Sequence, residues 1–544
     1  MIKPSLIASL TGRIRYTLAL RRNQAHEKRL AQALATQAAS TPPAQADHHP
    51  VLVFNATTRL MGLSLNAAYS LLTAWSLRLS GVPVAHFVCQ RGMTRCVLGT
   101  NRDNHLAAPP CAACIAESKA LFHSAEVFPA SYQPDPALIQ AIDSLSLDEL
   151  SRFSYHDLPL GSIAITSLRW SLRRHNLTDD EPTRYLFRQF ILSAQSIATE
   201  FTRALEAYHP RAVLLFNGTF FPEAVARQLA QARGIPVISH ETAFLPFSSF
   251  FTTGEATAYP IRIPEDFELD NRQEAQLDGY LEQRFHGKFQ MGGIQFWPDM
   301  KGLDDDFLKK AAAFHQMVPV FTNVIFDTSQ GHANVTFTDM FAWLDLVYDV
   351  ARQQPATLFV IRAHPDEGRP GKASRETVRE WVKKSGFDQL PNSLFIDSFE
   401  YISSYELVQH SKFVLAYNST ICLEAAIMGY AVLCGGKVRY HLPDRPTVYF
   451  PPTPEAYRQT LQTFLQADQV TPPVEFRQNA RRYMYFQLYR ASLPFDRFLT
   501  AESYPPGFAR LRDFPWQDLL PAHSAVMQTI QDGLLAGKPF YLQE

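Results

Sequence analysis

The sequence predicts an α/β protein of two domains built on parallel sheets. Three observations predict it. Residues 411–434, SKFVLAYNSTICLEAAIMGYAVLC, read as a short buried strand, a polar turn, a helix and a second strand. The same strand–helix–strand order opens the first half at 51–89 and recurs at 211–242. At 544 residues the chain is too long for a single core.

Composition removes several function classes. Lysine plus arginine number 51 against 52 aspartate plus glutamate, a net charge of −1. No global charge invites nucleic acid, so anionic ligands must be met by local clusters. Apolar residues at 46% suffice for sizeable cores. The N-terminus lacks the apolar stretch and small-residue cleavage site of a signal peptide. The stretch 60–79 holds Asn66 and Arg78 and follows a strand, so it reads as a buried helix and not as a membrane span. A cytoplasmic soluble protein is expected.

Residues 1–40 carry Lys3, Arg13, Arg15, Arg21, Arg22, Lys28 and Arg29 among Ile, Leu and Ala. They read as a solvated helical extension. The alternative is a basic amphipathic helix in peripheral contact with the inner membrane face. Residues 41–50, TPPAQADHHP, form a linker. A strand at 51–55, a turn to Gly62, a helix to about 80 and a strand at 84–89 begin the first α/β domain.

Four of the six cysteines then fall together: Cys89, Cys96, Cys111 and Cys114. A Cys-x-x-Cys turn offers two thiolates to one metal ion, and Cys89 and Cys96 can complete a closed, structural Zn site. His105 is an alternative fourth ligand, and an iron–sulfur cluster uses similar ligands. The competing reading is a set of reduced buried thiols or one redox-active pair.

Residues 115–210 read as mostly helical. Arg169, Arg173 and Arg174 fall on or near one helix, either facing an anionic acceptor or forming a solvated basic face. A buried strand from 211 ends in Asn217-Gly218, a helix spans 222–233, and a strand at 237–239 ends in His240-Glu241-Thr242. Ligands of open α/β sheets bind beyond the carboxyl ends of the strands, so Asn217, Gly218, His240 and Glu241 are placed for chemistry. A His–Glu pair there can supply a general base, or either residue can be a satisfied structural polar group.

Residues 252–312 are charged and irregular, and the domain boundary is expected there, near 290. The Asp304-Asp305-Asp306 run reads as a helix start, not a metal motif. The second α/β pattern has strands at 318–323, 358–362 and 394–396, and helices at 338–352 and 405–410. The strand at 358–362 runs into His364. In 411–434, Asn418, Ser419 and Thr420 favour a helix N-cap, and Gly429 ends the helix. Free amides and the dipole make such a start an anion site, and Glu424, one turn in, can accept from a ribose diol. An ordinary, well-capped crossover explains the same residues.

Four stretches carry a resemblance: IRAHPDE at 361–367, DSFEYISSYEL at 397–407, YNSTICLEAAIMGYAVL at 417–433 and VLLFNGTFFPEAVARQLAQARGIPVISHETAF at 213–244. The second half resembles the nucleotide-binding half of GT-B type glycosyltransferases. It is most similar to the bacterial capsule and surface-polysaccharide biosynthesis group. The resemblance implies two Rossmann-like domains facing across a cleft, residues 51–290 for the acceptor and 291–465 for the donor. Helices in 466–544 would cross back onto the first domain.

By the same resemblance the donor is a nucleotide sugar and the acceptor a glycan or lipid-linked glycan. The pyrophosphate would lie at Asn418, Ser419 and Thr420, with Glu424 on the ribose and Asp397 and Ser398 approaching the base. His364 and Arg362 would reach a phosphate. The acceptor would bind near His240 and Glu241, with Asn217, Gly218 and Arg169 around it. Transfer would need no cofactor, because helix amides and cationic side chains can stabilise the leaving group. The sequence departs from better-known members in lacking a Gly-rich loop at the start of the second domain, where 323–328 stands instead. Two other readings remain open: a nucleotide-sugar epimerase or glycerophosphate-type transferase on the same scaffold, and a non-catalytic, metal-stapled partner protein.

Overall fold

The computed structural model describes residues 4–42, 49–56, 62–101, 103–122, 124–285, 300–369, 372–502 and 508–543. Lys3, most of the 41–50 linker, the turn expected before Gly62 and the boundary near 290 lie outside the described residues.

The first half builds one sheet from β1 (Val51–Asn55), β2 (Val84–Cys89), β3 (Glu126–Ala130), β4 (Ala212–Phe216), β5 (Val237–Thr242) and β6 (Ser248–Thr253). Their order is β3-β2-β1-β4-β5-β6. The first five are parallel, and β6 returns antiparallel to β5. The second half builds β7 (Gln316–Phe321), β8 (Thr357–Arg362), β9 (Ser393–Ile396), β10 (Val414–Ala416) and β11 (Val432–Cys434). Their order is β9-β8-β7-β10-β11, all parallel.

Both sheets are therefore doubly wound in the same way. The chain leaves a central strand in one direction, then crosses to its other side. That reversal opens a crevice between β1 and β4 in one sheet and between β7 and β10 in the other. The central strands are buried along their length, as β1 and β8 show, because helices cover both faces. Continuous apolar runs such as VLVF and TLFVI follow from that burial. Helix α1 (Pro4–Ala39) precedes the sheet. Helix α2 (Leu65–Leu79) starts at Ser64, whose hydroxyl accepts from the Ala67 amide, and is buried along most of its length. The helix Glu181–Tyr208 covers the other face through Phe187, Phe190, Ile197 and Phe201.

The C-terminal stretch ties the two halves together, as the resemblance implied. The helix Val474–Tyr485 packs on Ile421–Ile427 and on Asn271–Phe285. The chain then crosses to the first sheet, where β12 (Leu493–Pro494) pairs with β6. The helix Ala525–Ala536 packs against α2. The architecture is two Rossmann-like domains facing across a cleft, of the GT-B type.

Two stretches differ from expectation. The segment read as mostly helical contains β3, an edge strand that is half exposed and includes Pro129. The segment read as irregular contains the end of β6 and the helices Asn271–Phe285 and Asp305–Ala312. The latter does start at the acidic run, with Asp304 accepting from the Phe307 amide at 2.8 Å.

Candidate active site

A cleft of about 910 Å³ lies at the carboxyl ends of the second sheet. Four loops line it. Thr322, Asn323 and Asp327 follow β7, His364 follows β8, Asn418 to Thr420 follow β10, and Lys437, Arg439 and His441 follow β11. The first domain closes the far wall with Phe244, Tyr259 and Ile261. At the crevice between β7 and β10, the Asn323 amide donates to the Asn418 side-chain oxygen at 2.7 Å. The loop at 323–328 thus holds the opening strand-end in place of a Gly-rich turn.

The cationic wall comes from a segment the sequence reading passed over. After β11 the chain reads GGKVRYHL, with Lys437, Arg439 and His441 alternating with Val438 and Tyr440. Val438 and Tyr440 are buried, and a turn closed by the His441 amide on the Val438 carbonyl at 3.3 Å brings Lys437, Arg439 and His441 to the cleft. Gly435 lets this segment pass close to the core, since a Cβ there would meet the Trp343 indole at 2.4 Å. Arg439 reaches across to the first domain. Its guanidinium lies 4.2 Å from the Tyr259 ring centroid and 4.9 Å from that of Phe244. Burial and the nearby Lys437 charge push the His441 pKa down, and its Nδ1 is buried with no hydrogen-bond partner among the described residues.

His364 is set as a donor. Burial lowers its pKa, so the neutral ring is favoured. Its Nδ1 accepts from the Asp366 amide at 3.1 Å, which leaves the proton on Nε2. Arg362, the last residue of β8, is buried, and burial brings its pKa down to about 10. It donates to the Asp397 and Ala363 carbonyls at 2.9 and 3.1 Å, bracing the ends of β8 and β9.

Glu424 lies on the cleft floor with its side chain 4% exposed. One carboxylate oxygen accepts from Arg284 Nε at 2.8 Å and the other from the Tyr405 hydroxyl at 2.9 Å. Tyr280 also bonds Arg284, at 3.0 Å. These partners come from the helix Asn271–Phe285 and from the start of Ser404–Gln409. The helix that carries Glu424, Ile421–Ile427, has Thr420 at its N-cap position with no side-chain cap bond, and Asn418 turns to Asn323 instead. Asp397 and Ser398 do not line this cleft. Asp397 pairs with Arg379 and accepts from the Ser398 hydroxyl and the Phe399 amide. Met300 and Ser403 to Glu406 line the cleft on that side.

On the first domain the expected residues separate. His240 is fully buried, with Nε2 at 2.7 Å from the Ser70 hydroxyl and its ring against Tyr69 and Phe251. Its role in the structure is that of a core residue at the α2–sheet contact. Glu241, one residue on, accepts from Asn66 at 2.9 Å and from the Thr242 amide at 2.8 Å, and Asn217 also bonds it. Burial raises its pKa; the hydrogen bonds oppose this and the charge of Asp327 adds to it. It stands beside Tyr259, whose hydroxyl donates to the Thr242 carbonyl. Gly218 turns the chain with φ +79 and accepts from Arg227 through its carbonyl.

Arg169 does not line the cleft. It donates to the His175 carbonyl at 3.0 Å, on the stretch that meets the second domain through Glu376. A further domain contact was not foreseen: Glu255 pairs with His332 at 2.8 Å and with Arg227 at 3.4 Å. Burial would raise the Glu255 pKa, but His332 and the Thr257 and Thr219 hydroxyls hold it at about 2.

The four clustered cysteines do approach one another. Burial lifts the Cys96 thiol to about 12, and Cys89, Cys111 and Cys114 each add to the shift. Cys89 and Cys96 each accept from an amide three residues on, Gly92 and Gly99, at 3.2 Å. None is in a disulfide. Among the described residues no group of three or more His, Cys, Asp or Glu is arranged to hold a metal ion.

No family model matches the chain, and neither does any curated protein. Solved structures do. The KpsC β-Kdo 2,4-transferase of Thermosulfurimonas dismutans matches at 12% identity and a TM-score of 0.34, over 56% of this chain and 84% of that one. The UDP-GlcNAc 2-epimerase of Neisseria meningitidis, bound to UDP-GlcNAc, matches at 13% and 0.23, over 81% and 99%. Sucrose-phosphate synthase of Thermosynechococcus elongatus matches at 11% and 0.27, over 81% and 94%. Scores this low carry no functional argument, and the fold assignment rests on the two strand orders and the cleft.

Proposed function

We propose that the chain is a glycosyltransferase, holding a nucleotide-sugar donor on the second domain and a glycan or lipid-linked acceptor on the first. One observation carries the reading. The carboxyl-end crevice of the second sheet is walled by Lys437, Arg439, His441 and His364, and faces a first-domain wall behind which stands the carboxylate of Glu241.

The chemistry follows from those groups. Negative charge grows on the departing nucleotide phosphate, and preoriented cations and N–H donors stabilise it most where water is excluded. Arg439 and Lys437 supply charge, and His364 supplies an Nε2–H donor. Glu424 Oε1 accepts from both Nε and Nη2 of Arg284, and Oε2, which accepts from the Tyr405 hydroxyl, keeps one lone pair for a ribose hydroxyl. Glu241 has a proton affinity raised by burial, which suits a base that takes the acceptor hydroxyl proton. Asn66 and Asn217 hold it in place.

The test is product analysis. The protein is incubated with nucleotide sugars, with and without glycan acceptors, and free nucleotide is followed. The expected result is nucleotide release that requires an acceptor and falls in His364→Ala. An epimerised nucleotide sugar formed without acceptor would assign the cleft to the other chemistry.

A further inference from the structure

We infer that the outward face of α1 is a docking surface for an anionic lipid bilayer. Residues 1–40 hold seven basic residues and one acid, Glu27, a net charge of +6. The whole chain is at −1, so the remainder stands at −7. The positive charge is therefore concentrated in the N-terminal forty residues.

The helix has two apolar sides. Toward the protein, Ala31, Leu34 and Ala35 are buried, together with Glu27. That side packs on α2, on α3 (Cys111–Leu121) and on the strand Ala509–Leu511. Gln24 donates to Glu117, and Arg22 pairs with Glu502 at 3.0 Å, so the helix is anchored by polar contacts as well. On the opposite side Ile14 and Leu18, four residues apart, are 53% and 60% exposed. At 3.6 residues per turn Leu18 lies half a turn round from Glu27. Arg21 and Lys28 flank the Ile14–Leu18 line on one edge, and Arg15 and Arg29 on the other, all exposed, while Arg22 turns to Glu502.

That arrangement selects the occupant. A polyanion such as nucleic acid is met by basic side chains alone and gains nothing from an apolar centre line. A bilayer surface takes both. Lysine and arginine stems reach anionic headgroups while Ile14 and Leu18 enter the acyl boundary. The net charge of −7 elsewhere opposes approach of the rest of the chain to the same surface. Among the described residues no helix is long and apolar enough to cross a membrane, and the inference needs none.

The test is vesicle flotation of the full chain. Neutral phosphatidylcholine vesicles are compared with vesicles containing phosphatidylglycerol. The expected result is binding to the anionic vesicles, none to the neutral ones, and loss of binding in high salt. Arg21→Glu with Arg29→Glu is expected to lower partition at least about tenfold. Ile14→Ser with Leu18→Ser is expected to lower it with the charge intact. Both pairs are exposed, so circular dichroism and the melting temperature should stay at wild-type values, and so should nucleotide binding in solution. No flotation of wild type with anionic vesicles overturns the inference. So does duplex DNA binding that matches lipid binding and ignores Ile14→Ser with Leu18→Ser.

Discussion

The two domains share one strand order and use it differently. In the second domain the loops after β7, β8, β10 and β11 open a crevice walled by cations and N–H donors. In the first, the equivalent ends carry His240, turned into the core against Ser70, and Glu241, held by Asn66 and Asn217. One sheet end gathers cationic side chains, and the other holds its carboxylate, Glu241, in a network of hydrogen bonds behind the wall. The strand order places both sets of loops at the interface, and the loop residues decide what each can bind.

That contrast can be broken from either side. The largest effect is expected at the carboxylate. Glu241→Gln should lower kcat by about 10²–10⁴-fold, the range for a lost general base. Its folded pKa is raised above 4.5, so the carboxyl favours stability below that pH and loses it as pH rises. At pH 7 the Gln variant should therefore melt no lower than wild type. The wild-type pH–rate profile should fall on its acid side at an inflection above 4.5. A variant with wild-type kcat would move the chemistry elsewhere.

Glu424 probes the opposite wall and also the fold. Glu424→Ala leaves Arg284 buried without its carboxylate, at a cost of about 3–5 kcal/mol. Chemical denaturation should show that loss. Pairing Glu424→Leu with Arg284→Met should recover most of the stability, yet nucleotide affinity should stay impaired. Recovery of both would make the pair purely structural.

Arg439 links the two domains. Arg439→Ala removes a cation held between Tyr259 and Phe244, worth about 0.5–2 kcal/mol, together with a charge-assisted bond to phosphate. The donor KM should rise by roughly tenfold or more, with a smaller change in acceptor KM. The smallest effect is expected at Glu255–His332, a partly exposed contact worth at most about 1 kcal/mol. Glu255 is held at about 2, so its contribution is present above pH 4.5 and fades as pH falls toward 2. The melting-temperature gap between wild type and Glu255→Gln should close over that window.

The fold was legible where burial was complete. The strands at 51–55, 84–89, 357–362 and 414–416 are mostly apolar because both sheet faces are covered, with Asn55, His86, Thr357 and Arg362 the polar exceptions. β3 escaped because an edge strand is half exposed and mixes in Pro129, and β6 because its buried run carries Ser248 and Ser249 and ends in Thr252 and Thr253. The cleft lining was legible at strand ends, in His364 and Asn418. Arg284 and Tyr259 were not, because they meet their partners, Glu424 and Arg439, across 140 and 180 residues of chain. Lys437, Arg439 and His441 did leave a signal, a basic residue at every second position directly after a buried strand. Asp397 and Ser398 misled because a strand end can spend its polar groups on its own turn.

The most direct measurement is calorimetric titration of nucleoside mono- and diphosphates and nucleotide sugars into wild type, Arg439→Ala and His364→Ala. The account predicts that one nucleotide series binds wild type and binds each variant more weakly, with both variants folded. Wild-type protein that binds no nucleotide, or binds one equally well in both variants, would contradict a donor site in the second-domain cleft.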